Sequence, residues 1–367
     1  MTGWHPERCG TIACRIAVLL RSHGLKPVVA EMPNMNSNPN QSIKIAESDG
    51  MKPVRVGVSA CLLGTAVRFN GGHQRSNYIA ESLSQFVEYI PVCPEVEIGL
   101  GTPREAIRLR RSDAGGPVQL VGSRTGTDHT KAMQQYSSRK LDQLGTLNLS
   151  GYIFAKNSPT CGVHRVRVYD QNGVPSRDGR GLFAAAVVER WPLLPVEEDG
   201  RLNDPQLRES FLHRVFAYHR AKSLFASSWS VGDLVRFHTR EKMLLLAHDP
   251  ASFRRLGALV AGAKERPRDE IAAEYLSGFM GGLSRVATAG SHYNALEHVL
   301  GFFKRLLGPD EKRELLHLMD DFRRRFVPLA VPLTLIRHYV KLFQIAYLRD
   351  QTYLASHPRE LMLQVHV

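Results

Sequence analysis

At 367 residues the chain has room for two domains of ordinary size, and its 43% hydrophobic content is that of a soluble globular protein. A formal charge of +13 points to an anionic partner, nucleic acid above all. No run approaches the roughly 18 apolar residues that span a bilayer, so no membrane partner is expected.

Near the start, IACRIAVLL is short, is broken by Arg15 and lacks a small-residue cleavage site, so it does not read as a secretory signal and the expected location is cytoplasmic. In that reducing compartment the five cysteines (Cys9, Cys14, Cys61, Cys93 and Cys161) are expected as thiols or metal ligands rather than disulfides. From Arg201 onward the chain carries 25 Lys and Arg against 17 Asp and Glu, and ten of the 15 histidines, so the C-terminal half is the more basic.

Residues 1–50, with the polar segment EMPNMNSNPNQS, read as a disordered leader, or as the product of a start placed too early, with Met51 as the alternative start. Cys9 and Cys14 lie there and receive no role. From Lys52 the pattern is α/β. VRVGVSA is a strand, QRSNYIAESLSQF a helix and VEYIPV a second strand, while REAIRLRR and PVQLVG are strand or strand–turn material. DHTKAMQQYSSRKLDQL predicts a helix with Asp128 as N-cap, GYIFA a third strand, and GRGLFAAAVVERWP a helix ending near Pro192. Apolar strands alternating with helices predict a parallel, Rossmann-like sheet covered on both faces.

WPLLPVEEDGRLNDP then breaks the pattern, which sets the expected boundary between a 51–195 domain and an all-α 196–367 domain. Seven segments beyond it carry helical periodicity, the last being VPLTLIRHYVKLFQIAYLRDQTYL. His238 with Lys242, and Arg337 with Lys341, stand four apart on one helix face, a spacing that can track phosphates. His292 and His298 are six apart and are not read as a second metal site.

Cys61, Cys93 and Cys161 each follow a predicted strand at its C-terminal end. In an open parallel sheet those ends line one crevice. Spacings of 32 and 68 residues form no local motif, so only the sheet can bring the three together. Three thiolates suit a soft metal centre; a structural zinc would be one ligand short, whereas a [4Fe–4S] cluster on three cysteines keeps one iron open to substrate. Scattered small hydrophobes are the alternative on placement alone. The turn-forming neighbours favour a built site: Leu-Leu-Gly after Cys61, Pro-Glu after Cys93, and Ser-Pro-Thr before Cys161 with Gly162 after it. GLGTPRE lacks the spacing of a dinucleotide loop, so no nucleotide cofactor is expected.

VSACLLGTAVRFNGGH, VCPEVEIGLGTPRE and AKNSPTCG resemble, in order, the three signature segments of the thiouracil desulfidase family, over roughly residues 54–190. The resemblance implies a [4Fe–4S] cluster on Cys61, Cys93 and Cys161, a catalytic carboxylate at Glu95 and a catalytic serine at Ser158. A second cysteine common in short family members is absent at Ala66 or Val67, which points to a longer subfamily. FHTREKMLLLAH, HYNALEHVLGFFK and the stretch from PLTLIRHYV to YLASHPRELML resemble the helical domain fused to such enzymes. That architecture implies a desulfidase of 4-thiouridine in tRNA, with the helical domain assisting RNA binding.

The expected chemistry replaces C=S by C=O without redox change. The open iron acts as a Lewis acid on the thiocarbonyl sulfur, Glu95 deprotonates the attacking water, and Ser158 orients the water or protonates the ring. Burial near thiolates would raise the Glu95 pKa. Glu95 as a helix cap and Ser158 as a turn residue are the plain alternatives. Arg68, His73 and Arg104 are candidate substrate contacts. The competing readings are a desulfidase of free thiouracil, and a non-catalytic RNA-binding or zinc-stabilised regulatory protein.

Overall fold

A computed structural model describes residues 53–111, 116–356 and 358. The expected leader, the alternative start at Met51 and the two leader cysteines lie outside the described residues.

The first half runs β1 (Arg55–Ser59), β2 (Glu88–Val92), α1 (Pro94–Glu97), β3 (Ile107–Arg111), β4 (Val118–Gly122), α2 (Thr130–Gly145), β5 (Gly151–Phe154), β6 (Val166–Tyr169), β7 (Pro175–Gly179), α3 (Leu182–Arg190) and β8 (Val196–Glu198). One sheet has the order β2-β1-β5-β8 with every pairing parallel. Its central strands are near-continuous apolar runs because both faces are covered. Tyr152 and Phe154 stack at 4.1 Å between ring centroids and meet Phe183 of α3, which in turn contacts Tyr136 of α2. Successive side chains of a strand alternate faces, so Gly151 and Ile153 look the other way. There a Cβ on Gly151 would meet Val215 Cγ2 at 2.7 Å, so the next helix covers that face.

Not all predicted strands join the parallel sheet. REAIRLRR and PVQLVG form β3 and β4, an antiparallel pair in a second, mixed sheet of order β4-β3-β6-β7. QRSNYIAESLSQF is not a regular helix but a wide turn over Tyr78–Ser82 followed by a 3-10 turn over Leu83–Gln85. The N-cap of α2 is His129, one residue beyond the expectation, although Asp128 Oδ1 still accepts the Thr130 N–H at 2.8 Å.

The second half is helical: α4 (Pro205–Phe225), α5 (Val231–His248), α6 (Pro250–Ala261), α7 (Arg268–Leu283), α8 (Ala289–Leu300), α9 (Pro309–Arg323), α10 (Ala330–Leu342) and α11 (Ala346–Arg349). Asp204 caps α4, and Ser230 and Thr288 each build a reciprocal capping box. The last predicted helix is broken after Leu342, where Gln344 takes a left-handed φ of 50°. Two apolar cores result. Phe211, Leu212, Val215 and Phe216 of α4 belong to the sheet core, and Ala217 and Ala221 of the same helix to the helical core.

His238 is buried and shares a 3.0 Å hydrogen bond with Tyr275 Oη; burial, then Lys242, push its pKa down to about 4. It is a neutral core side chain, so the expected His238–Lys242 phosphate-tracking face does not form. Among the described residues no helix is long and apolar enough to cross a membrane.

Candidate functional site

Strands β2, β1 and β5 are neighbours, and each sends a cysteine into one cavity at its C-terminal end. Cys61 lies in a 3-10 turn directly after β1, which Gly64 closes with a left-handed φ of 99°. Cys93 is the N-cap residue of α1, with Pro94 starting the helix. Cys161 closes the loop after β5. That loop turns at Asn157 (φ 59°), a residue type that tolerates the left-handed region, and is tied down where Lys156 N–H donates to Asp199 Oδ1 at 2.8 Å. Its far side packs on the start of α3, where Leu182 N–H donates to the Pro159 carbonyl at 3.1 Å and Ala184 N–H to that of Thr160 at 3.0 Å. Gly181 is obligatory at this contact, since a Cβ would stand 2.5 Å from the Thr160 carbonyl oxygen.

The cavity has a volume of about 300 Å³, and Cys61, Cys93, Cys161, Glu95, Ser158, Arg68 and Arg104 all line it. Burial pushes the Cys61 thiol up to about 11, with Cys93 adding to the shift and Arg68 opposing it. Burial raises Cys161 to about 12 and also raises Cys93. Three desolvated thiols at one cavity need a cationic group to bind as thiolates. Among the described residues no three His, Cys, Asp or Glu side chains are grouped to hold a metal ion. A zinc needs all its donors about 2.3 Å from one point, whereas an iron–sulfur cluster sets each thiolate on a different iron. Three thiols at one cavity are a donor set whose chemistry fits such a cluster.

The Glu95 carboxylate is held from both sides. Arg104, 5% exposed, donates from Nη2 to Oε2 and from Nη1 to the Val67 and Gly101 carbonyls, both at 2.9 Å. On Oε1, Glu95 accepts from Thr160 Oγ1 at 2.8 Å and Ser158 Oγ at 3.3 Å. Ser158 Oγ itself accepts the Cys161 N–H at 3.0 Å and the Thr160 N–H at 3.2 Å. Its own hydrogen is thereby left for Thr160, 3.0 Å away, or Glu95. Beside the cysteines, Glu95 thus sits in an ion pair with two hydroxyls as further donors.

Arg104 is spent on Glu95 and backbone carbonyls rather than left open to substrate. Arg68 lines the cavity and donates to Gln74 Oε1 at 2.9 Å. His73 is exposed, accepts the Arg75 N–H, and does not line the cavity. Two further lining residues carried no readable signal beyond their place in the quoted segments: Thr160, which bridges Ser158 and Glu95, and Phe69, 43% exposed at the cavity.

The family described as 2-thiouracil desulfurase matches residues 56–199, the span that builds this cavity. The chain belongs to that family. A second match, a protein family of unknown function (DUF1722), covers residues 242–358 of the helical half. Among curated proteins the chain is 33% identical over 164 residues to the uncharacterized protein YbgA of Escherichia coli (strain K12), covering 44% of this chain and 97% of that protein. It is 30% identical over 108 residues to the uncharacterized protein YbbK of Bacillus subtilis (strain 168), covering 29% and 71%. Among solved structures it is similar to the [4Fe-4S]-dependent thiouracil desulfidase TudS, at 27% identity and a TM-score of 0.34, covering 43% of this chain and 97% of that one.

Proposed function

We propose that this chain is a [4Fe–4S]-dependent desulfidase of thiolated uracil, with 4-thiouridine in tRNA as its substrate. The observation that carries the reading is the gathering of Cys61, Cys93 and Cys161 with Glu95 and Ser158 around one 300 Å³ cavity. The basic helical half, with 25 Lys and Arg against 17 Asp and Glu, supports an RNA-borne substrate over a free base.

When bound to the three cysteines, the cluster supplies a thiophilic Lewis-acid iron that no protein side chain occupies. The chain's own residues then handle the water and the protons. Glu95 takes a proton from the attacking water, and Arg104 keeps its carboxylate aimed while leaving Oε1 to the hydroxyls. Ser158 and Thr160 form a short hydroxyl path that returns a proton to the ring or the leaving sulfur. Phe69 offers an aromatic face to the base at the cavity edge. In balance, C=S and water give C=O and hydrogen sulfide, with no electron transferred.

The test is a paired assay on anaerobically purified protein: loss of thiouridine from bulk tRNA, and conversion of free 4-thiouracil, each with sulfide release. Reaction with tRNA supports the full reading. Reaction with the free base alone removes the RNA assignment, and a colourless protein carrying stoichiometric zinc removes the desulfidase itself.

A further inference from the structure

A second cavity, of about 230 Å³, lies on the other side of the Cys161 loop and is lined by Val163, His164, Arg180, Glu197, Arg201 and Arg214, among others. Val163 follows Cys161 by two residues, so their Cα atoms are at most about 7 Å apart. Three separate elements deliver the arginines. Arg180 precedes α3, Arg201 opens the 3-10 turn after β8, and Arg214 stands on α4.

The charges do not balance. Three guanidiniums face one lining carboxylate, Glu197, and that carboxylate is already engaged by Arg201 Nε at 2.7 Å and by the Glu198 N–H at 3.0 Å. Among the described residues neither Arg180 nor Arg214 has a carboxylate within ion-pair distance, and Arg214 Nε is buried without a hydrogen-bond partner. A buried N–H left without an acceptor is costly. Burial lowers the Arg214 pKa, Glu197 opposes that, and the neighbouring Arg201 adds to it. Arg201 and His164 side chains are 42% and 43% exposed, which opens the cavity to solvent.

Planar guanidinium forks converging from three directions match the oxygens of a phosphoryl group, which they bind in bidentate fashion. We propose that this cavity binds a phosphoryl group, supplied either by an RNA backbone or by a free phosphate or mononucleotide. The proposal goes beyond the desulfidase reading and does not depend on it, because the test reads binding and not turnover.

With the full-length chain, titration calorimetry with inorganic phosphate at fixed ionic strength is run beside fluorescence anisotropy with labelled bulk tRNA over a salt series. The variants are R180Q and R214Q, each checked for fold by circular dichroism; if R214Q does not fold, R180Q decides. The expected result is saturable phosphate binding, or RNA binding, weakened about tenfold in the variants. An RNA loss accompanied by a salt slope smaller by about one assigns the polynucleotide as the source. A phosphate loss with unchanged RNA affinity assigns the free phosphoryl group. Unchanged RNA affinity together with no saturable phosphate binding, or with phosphate binding that the variants leave intact, overturns the proposal.

Discussion

Arg104 and Glu95 form an ion pair beside the three cysteines, with Arg104 only 5% and Glu95 15% exposed, and the pair leaves one carboxylate oxygen for Thr160 and Ser158. In the proposed mechanism Arg104 touches the base rather than the reacting atoms, so it is a positioning residue. R104Q should lower turnover by roughly 10²-fold, a loss on the scale of a displaced general base, while KM changes little and the cluster absorbance stays. Steady-state sulfide release read against the visible spectrum decides. Loss of absorbance together with activity would mean that Arg104 builds the metal site instead.

Thr160 and Ser158 should separate in their effects. T160V keeps the shape and removes one 2.8 Å hydrogen bond to Glu95, so turnover should fall about fivefold with a full cluster, consistent with about 1 kcal/mol per hydrogen bond. S158A also strips the acceptor from two backbone N–H groups, those of Thr160 and Cys161, which loosens the loop bearing a cysteine. It should lose both turnover and cluster occupancy, measured as iron per chain.

Glu209 lines a cavity of about 320 Å³ in the helical half, 3.8 Å from His213 Nε2, and burial raises its pKa from 4.5 to about 7. The folded chain therefore keeps a proton that the unfolded chain loses near pH 4.5. The stability Glu209 contributes is complete below that pH and is lost as pH rises through about 7. E209Q should match the native chain near pH 4.5 and exceed it at pH 8, by at most about 3 kcal/mol, since the side chain is 26% exposed. His292 works in the opposite wing. Burial, then His248, lower its pKa to about 3, so its contribution is lost as pH falls below 6.5. Urea unfolding of the native chain and E209Q across this range checks both signs, and a gap that does not widen with pH would refute the first.

Glu241, 1% exposed, accepts from Arg220 Nε and Nη2 at 2.6 and 2.9 Å and from Thr352 Oγ1 at 2.8 Å, while Arg220 Nη1 donates to the Ser356 carbonyl at 3.1 Å. E241Q strands the guanidinium and should cost about 3–5 kcal/mol. The urea midpoint should drop with an unchanged m value. A loss below about 1 kcal/mol would show that water solvates Arg220 in the folded chain.

Strong local patterns were legible. β1, β2, β5 and the long helices α4, α5 and α7 follow apolar runs or 3.6-residue periodicity that packing then reinforces. β7 and β8 were not. PSRDG is polar and largely exposed, and β8 has three residues with Glu197 and Glu198 buried. Neither alternates, so no periodic signal exists to be read. Glu198 is buried because its Oε1 accepts the Val163 and His164 N–H groups at 2.7 and 2.9 Å, partners that lie far off in sequence.

Sequence alone determined the residue types on which the proposed chemistry rests: three cysteines after strand ends, a Cys-Pro-Glu and a Ser-Pro-Thr-Cys. These are local facts, written in neighbouring residues and in turn propensities. Only the tertiary structure decided that Arg104 serves Glu95, that Thr160 links it to Ser158, that His73 stands apart, and that Arg180, Arg201 and Arg214 meet behind the Cys161 loop. The physical reason is that pairing β2, β1 and β5 side by side sets distances between residues 32 and 68 positions apart. Charge pairing and burial then act on those distances, which no local spacing encodes.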